Sequence, residues 1–127
     1  MSDNKYLHVL IIDDDDMMRS YLRIMLRAAS IENIEEIGTF EKAIKLLSLR
    51  KYDLIFLDIN LPDADGISSI PIIKNKLPDC EIIMISGEST MDRVKQAMSA
   101  GAKDFIAKPF NANSVETKIK QLVNEVK

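Results

Sequence analysis

The sequence predicts an α/β domain with a parallel sheet sandwiched between two helical layers, and two observations predict it. Short continuous apolar runs suited to strands buried on both faces alternate with longer stretches whose apolar residues recur at helical spacing. Each of five such runs is followed by one such stretch after a short connection, which implies parallel strands joined by right-handed crossovers. At 127 residues the chain can bury a single substantial core and is expected to form one domain over 1–127, with no room for an effector domain.

The strands are expected at 7–12, 34–37, 54–57, 82–85 and 104–107, the last carrying the weakest pattern. A first helix over about 17–29 places Met18, Leu22, Met25, Leu26 and Ala29 on its inner face, with Asp15 or Asp16 at its start. A second over about 40–49 follows Thr39 as N-cap and turns Phe40, Ala43, Ile44 and Leu47 inward. A third follows Gly66 and ends before Pro78, with Pro71 tolerable only near its first turn. The fourth opens on Ser89-Thr90-Met91-Asp92 and the fifth on Asn113-Ser114-Val115-Glu116, both close to a capping box. Val115, Ile119, Leu122, Val123 and Val126 form the inner face of the fifth.

Composition narrows the function. With 46% hydrophobic and 29% charged residues and a formal charge of −3, the chain has the make-up of an ordinary soluble protein. It lacks the clustered Lys/Arg excess that contact with a phosphate backbone requires, so direct nucleic-acid binding is not expected. Cys80 is the only cysteine, which rules out an internal disulfide and is compatible with a reducing cytoplasm. The apolar run at 7–12 is too short for a signal-peptide core or a membrane span, so a cytoplasmic chain without membrane attachment is expected. His8, the only histidine, lies in the first strand with no partner for metal or nucleophilic work.

Ligands of such sheets gather at the carboxyl ends of the strands. The first strand runs into Asp13-Asp14-Asp15-Asp16, the third ends at Asp58, the fourth at Ser86 and the fifth at Lys108. Each is ordinary alone; together they place three carboxylates, a hydroxyl and an ammonium around one crevice. Asp13, Asp14 and Asp58 would repel one another unless a positive charge sat between them. With Lys108 they leave two formal negative charges, which one hard divalent cation neutralises. Mg²⁺ takes few carboxylates and leaves positions for phosphate oxygens, which points to phosphoryl transfer with Asp58 as the nucleophile.

Ile11-Ile12-Asp13-Asp14-Asp15, Arg19, Asp58, Pro62, Gly66, Ser86 and Lys108-Pro109 resemble the receiver domain of bacterial two-component response regulators, over about residues 6–125. The resemblance implies a flavodoxin-like, doubly wound (βα)5 fold with strand order 2-1-3-4-5. It implies that Asp14 holds Mg²⁺ directly and Asp13 through water, with Asp58 and the backbone carbonyl of Asn60 as further ligands. Asp58 would accept the phosphoryl group, Ser86 would contact it as the switch hydroxyl and Lys108 would pair with it. Pro109 would follow a cis peptide, and Gly66 would serve a turn conformation that residues with a Cβ dislike. Phe105 stands where the family carries an aromatic switch, and the side chains of Asn60 and Glu88 stand where it tunes loss of the acyl phosphate.

Met17, Tyr21 and Ile24 lie at helical spacing off the core stripe of the first helix, an apolar patch beside the acidic crevice. The resemblance implies that the patch docks a histidine kinase or histidine phosphotransfer protein, and that output passes through the fourth helix, fifth strand and fifth helix to a downstream protein. A receiver excised from a longer response regulator would look the same. The rival reading is a haloacid dehalogenase-type phosphohydrolase, whose nucleophile stands in Asp-x-Asp-x-Thr after the first strand. Asp13-Asp14-Asp15-Asp16-Met17 lacks that threonine, and Asp58 would have no role. The expected protein is therefore a phosphoacceptor that assists its own phosphorylation and dephosphorylation, without independent turnover.

Overall fold

A computed structural model describes residues 6–87, 91–108 and 110–126. Five strands, β1 (His8–Ile12), β2 (Asn33–Ile37), β3 (Leu54–Asp58), β4 (Glu81–Ser86) and β5 (Asp104–Ala107), form one parallel sheet in the order β2-β1-β3-β4-β5. This is the expected order 2-1-3-4-5. Helices α1 (Asp16–Ala28), α2 (Phe40–Leu49), α3 (Gly66–Lys76), α4 (Met91–Ala100) and α5 (Ala112–Val126) alternate with them.

Alternation along the strands divides the core in two. Val9, Ile11, Leu54, Phe56, Ile83, Ile85 and Ile106 pack with α1 and α5 on one face of the sheet. Leu10, Ile12, Ile55, Leu57, Ile82 and Met84 pack with α2, α3 and α4 on the other. Every residue of β3 is buried, as expected of a central parallel strand. Leu22, Met25 and Leu26 are buried along α1, each stabilising the fold by about 1.5–3 kcal/mol. Met18 and Ala29 are only partly covered.

The helix starts follow side-chain chemistry, with one displacement. Asp15 Oδ1 accepts from the amides of Met17 and Met18, and Thr39 Oγ1 accepts from Lys42. The fifth helix begins earlier than its sequence suggests: Asn111 Oδ1 accepts from the Ser114 amide, so Asn111 is the cap and 113–114 lie within the first turn. The Ser89–Thr90 cap lies outside the described residues, as does the side chain of Val126. Pro71 stands in the second turn of α3 rather than the first. It is exposed and withholds a donor from the Ile67 carbonyl, a loss that one solvent-facing position of an otherwise packed helix tolerates.

Between β3 and α3 the chain forms a small antiparallel ladder that the sequence pattern does not reveal, pairing Asn60 with Asp65 and Leu61 with Ala64. Its tip is tied to α2, because the Asp63 carboxylate accepts from the Phe40 and Glu41 amides at 2.9 Å each. Its end is Gly66, whose amide donates to the Ile59 carbonyl at 2.6 Å. A Cβ on Gly66 would lie 2.4 Å from the Asp58 carbonyl oxygen and 2.6 Å from Ile59 Cα. Gly66 does not adopt positive φ, so the expectation of a special turn conformation is corrected: glycine is required by the close approach of two backbones. Replacing it with alanine must push α3 away from the end of β3. Gly66→Ala is expected to lower unfolding stability by about 1–3 kcal/mol, measured as a shift in the urea midpoint.

Candidate functional site

Strand phase places the functional side chains. Asp13 follows Ile12, Asp58 ends β3 and Lys108 follows Ala107; two residues before each stand Ile11, Phe56 and Ile106, all of the α1/α5 face. β1 and β3 are direct neighbours in register, Ile12 opposite Leu57, so Asp13 and Asp58 emerge side by side. β5 is separated from β3 by β4, and the lysine's four-carbon stem spans that gap. Lys108 Nζ reaches Asp13 Oδ2 at 2.9 Å and Asp58 Oδ2 at 3.4 Å. The Lys108 amide donates to the Ser86 carbonyl at 2.8 Å, which fixes the base of that reach.

Asp13 and Ser86 are fully buried and Asp58 nearly so, whereas Asp14 is exposed. Burial, reinforced by the charge of Asp13, pushes the Asp58 carboxyl up to about 6; Lys108 and the Asn60 amide, which donates to Asp58 Oδ1 at 3.2 Å, pull it back part of the way. Burial pulls the Lys108 ammonium down, but contact with Asp13 and the charges of Asp13 and Asp58 outweigh this and hold it above the ordinary lysine value. Cys80, by contrast, is a buried thiol pushed up to about 12 by burial, far from reactive.

Carboxylate oxygens of Asp13, Asp14 and Asp58 lie within 4.8 Å of one another, close enough to share a cation. The donor set is all oxygen, as hard divalent ions require. Asp13 Oδ2 adds a more specific sign: it is buried and faces Lys108, yet receives no hydrogen bond of good geometry. A carboxylate oxygen has two lone pairs, so beyond its 2.9 Å ion pair with Lys108 this buried oxygen can still bind a cation or accept from its bound water. The site can therefore hold a metal.

The structure brings Asp13, Asp14, Asp58, Ser86 and Lys108 to one end of the sheet as expected, with Asn60 directly beyond Asp58. Phe105 is half-buried, packs against the α2/α3/α4 side of the core and lines a surface cavity of about 330 Å³ with Ala107, Asn111 and Lys118. Glu88 and Pro109 lie outside the described residues. Met17 and Ile24 are exposed at 78% and 66%, as an uncovered apolar patch demands. Tyr21 differs from that expectation. It is half-buried and stacked on Phe110, ring centroids 5.8 Å apart, so the patch is continuous with the loop that follows Lys108.

Two residues with a part in the site's geometry escape residue-pattern reasoning. Asp63 caps a helix distant in sequence, and no local signature announces that. Arg19 is visible as part of a motif, but its contacts are not. Its Nη1 donates to the Asp13 carbonyl at 2.5 Å, and its guanidinium also meets Asp16 and Glu36.

Comparison with known proteins agrees with this geometry. The response regulator receiver domain family matches residues 9–120. The chemotaxis protein CheY of Listeria monocytogenes is 35% identical over 109 residues, covering 86% of this chain and 92% of that protein. A two-component response regulator from Clostridium difficile superposes with a TM-score of 0.87 at 30% identity, covering 95% of this chain and 98% of the other. A response regulator protein from Burkholderia pseudomallei, solved with a phosphorylated aspartic acid, a calcium ion and citrate, superposes with a TM-score of 0.79 at 26% identity, covering 94% of this chain and 70% of that one.

The raised Asp58 carboxyl would make binding of a cation at this cluster sensitive to pH. A proton and a cation compete for the same oxygens, so the sign is a loss of affinity as pH falls through about 6. Isothermal titration with MgCl₂ is expected to show binding about tenfold weaker at pH 5 than at pH 7. Without metal the linkage runs the other way: the folded state holds the Asp58 proton longer than the unfolded chain, so this residue lowers stability as pH rises from 3.8 to about 6.

Proposed function

Because the chain belongs to the response regulator receiver family, a family of phosphorylation-dependent signalling switches, we propose that Asp58 is its phosphoacceptor and that Asp13, Asp14, Ser86 and Lys108 serve that one residue. The observation that carries this reading is the Lys108 ammonium set between two buried carboxylates at adjacent strand ends. Mg²⁺ would be held by Asp14, Asp58 and the Asn60 carbonyl, with Asp13 acting through water; bound there, it supplies neutralisation of charge on the transferring group's oxygens.

Asp58 is mainly in its charged form at neutral pH, its raised value lying near 6. One carboxylate oxygen attacks phosphorus as the bond from phosphorus to the donor breaks, the electron pair leaving with the donor. Lys108 already stands beside Asp58 Oδ2 and can turn to a phosphoryl oxygen while keeping Asp13. The product adds negative charge beside buried Asp13, and the Ser86 hydroxyl, buried at the end of β4, would be the neutral donor that answers it. Movement there would pass to Phe105 and the α4–β5–α5 surface, biasing an equilibrium between two arrangements.

The phosphoryl donor is proposed to be a histidine kinase or histidine phosphotransfer protein docking on Met17, Ile24 and the edge of Tyr21, with a separate protein reading the output surface. No described helix is long and apolar enough to cross a membrane. A stoichiometric acceptor is favoured over a phosphohydrolase of the haloacid dehalogenase type, because the segment after β1, Asp13-Asp14-Asp15-Asp16-Met17, lacks the threonine of Asp-x-Asp-x-Thr, and that reading leaves no role for the buried Asp58 that Lys108 meets.

With acetyl phosphate and Mg²⁺, mass spectrometry is expected to find one phosphoryl group on wild-type protein at Asp58 and none on Asp58→Asn; label persisting in that variant would assign another acceptor. Ile24→Lys is expected to slow transfer from a cognate kinase by about tenfold, by placing a charge in an apolar contact. The same variant should keep its rate with acetyl phosphate, which needs no docking.

A further inference from the structure

We propose that Arg19 is a positioning residue for the cation site: it grips the peptide between Asp13 and Asp14 by its carbonyl oxygen and thereby aims the Asp14 carboxylate. The inference rests on the reading of Asp13, Asp14 and Asp58 as a Mg²⁺ site. It adds a residue that touches neither the cation nor the phosphoryl group.

Each other polar atom of Asp13 faces a partner, two by hydrogen bonds and one by an ion pair. Its amide donates to the Ile37 carbonyl at 3.1 Å, its Oδ1 accepts from the Asp15 amide at 3.0 Å, and its Oδ2 faces Lys108. The carbonyl is what remains, and Arg19 Nη1 donates to it at 2.5 Å. A peptide is planar, so fixing this carbonyl fixes the plane from which the Asp14 Cα emerges. That matters more for Asp14 than for Asp13, because Asp14 is exposed and lacks surrounding packing to set its direction.

Arg19 is itself held for this task. Its side chain is only 17% exposed, Nη2 is bonded to Asp16 in the first turn of α1, and Nε faces Glu36 Oε1 on β2 at 3.4 Å. The planar guanidinium thus hydrogen-bonds the end of β1 through Nη1 and the start of α1 through Nη2 at once, while Nε lies at ion-pair distance from Glu36 on β2, a forked geometry that a lysine cannot reproduce. Glu36 also pairs with Arg23 Nη1 at 2.9 Å, so loss of Arg19 does not leave that carboxylate uncompensated.

A positioning role and a charge role predict opposite signs. As a nearby positive charge alone, Arg19 would oppose a cation, and its removal would tighten Mg²⁺ binding. As the grip on the 13–14 peptide, its removal must weaken binding, and Arg19→Lys must weaken it too despite keeping the charge. Isothermal titration of the full chain with MgCl₂ is expected to show binding about tenfold weaker in Arg19→Lys and Arg19→Met, with Arg23→Met within about twofold of wild type. At saturating Mg²⁺, the rate constant for phosphorylation by acetyl phosphate in Arg19→Lys is expected to return to within about twofold of wild type, a split between affinity and rate that general loss of structure would not produce.

Unchanged affinity in Arg19→Lys, tighter binding in Arg19→Met, or a rate that saturating Mg²⁺ does not restore would each overturn the inference. Should circular dichroism show Arg19→Met to be unfolded, the Arg19→Lys arm decides alone. Wild-type protein that binds no Mg²⁺ would instead overturn the reading of the cation site, and this inference with it.

Discussion

The Lys108 ammonium between Asp13 and Asp58 is the interaction around which the rest of the site is organised. Two carboxylates buried at adjacent strand ends cannot both stay charged without a nearby cation. Lysine supplies one fixed positive charge, and the oxygen cluster leaves room for a divalent ion to supply more. The strand order is what makes this arrangement reachable. β1 beside β3 brings the aspartates together, and β5 one strand beyond β4 puts the lysine within the length of its own side chain. With β4 at an edge, Ser86 would be outside the cleft.

Around that charge triad the backbone is tied from several sides. The β3–α3 connection is drawn against the end of β3 by the contact between Gly66 and Ile59, and its tip is fastened to α2 through Asp63. Asp65, which caps α3, also meets Arg93 of α4 at 3.4 Å. The loop that bears Asn60 is thus linked to the helix on the proposed output side, a physical connection between acceptor and surface through packed and paired groups. Under the proposed function, pre-organisation of this kind would let a single added phosphoryl group act on neighbours already in contact.

Much of the fold was legible because its signals are local. Buried parallel strands read as continuous apolar runs, and β3 could hardly be mistaken with every residue apolar up to Asp58. The cap at Thr39 was likewise readable, and that of α1 to within Asp15 or Asp16, since such caps bond amides two or three residues away. Three departures arise where a contact between elements, or a second local signal of equal strength, overrides the pattern. The fifth helix is capped by Asn111, where a capping-box pattern two residues later had equal local claim. Gly66 has its place by backbone approach to Asp58, which no turn signature shows. Tyr21 stacks on Phe110, distant along the chain, so a helical stripe that looks uniform in sequence is only partly uncovered.

By itself the sequence determined the residue set: three carboxylates, a hydroxyl and an ammonium, each at the end of a readable strand, from which a divalent cation and a phosphoryl group were expected. Strand periodicity and residue type are properties of neighbours along the chain, and they suffice for that. Only the tertiary structure decided how the groups bear on one another: that Asp58 is buried and raised toward 6, that Lys108 bridges it to Asp13, and that Arg19 reaches the Asp13 carbonyl. Those facts depend on inter-strand register and on side chains meeting across elements, and distances across a sheet are written in no single stretch of the chain.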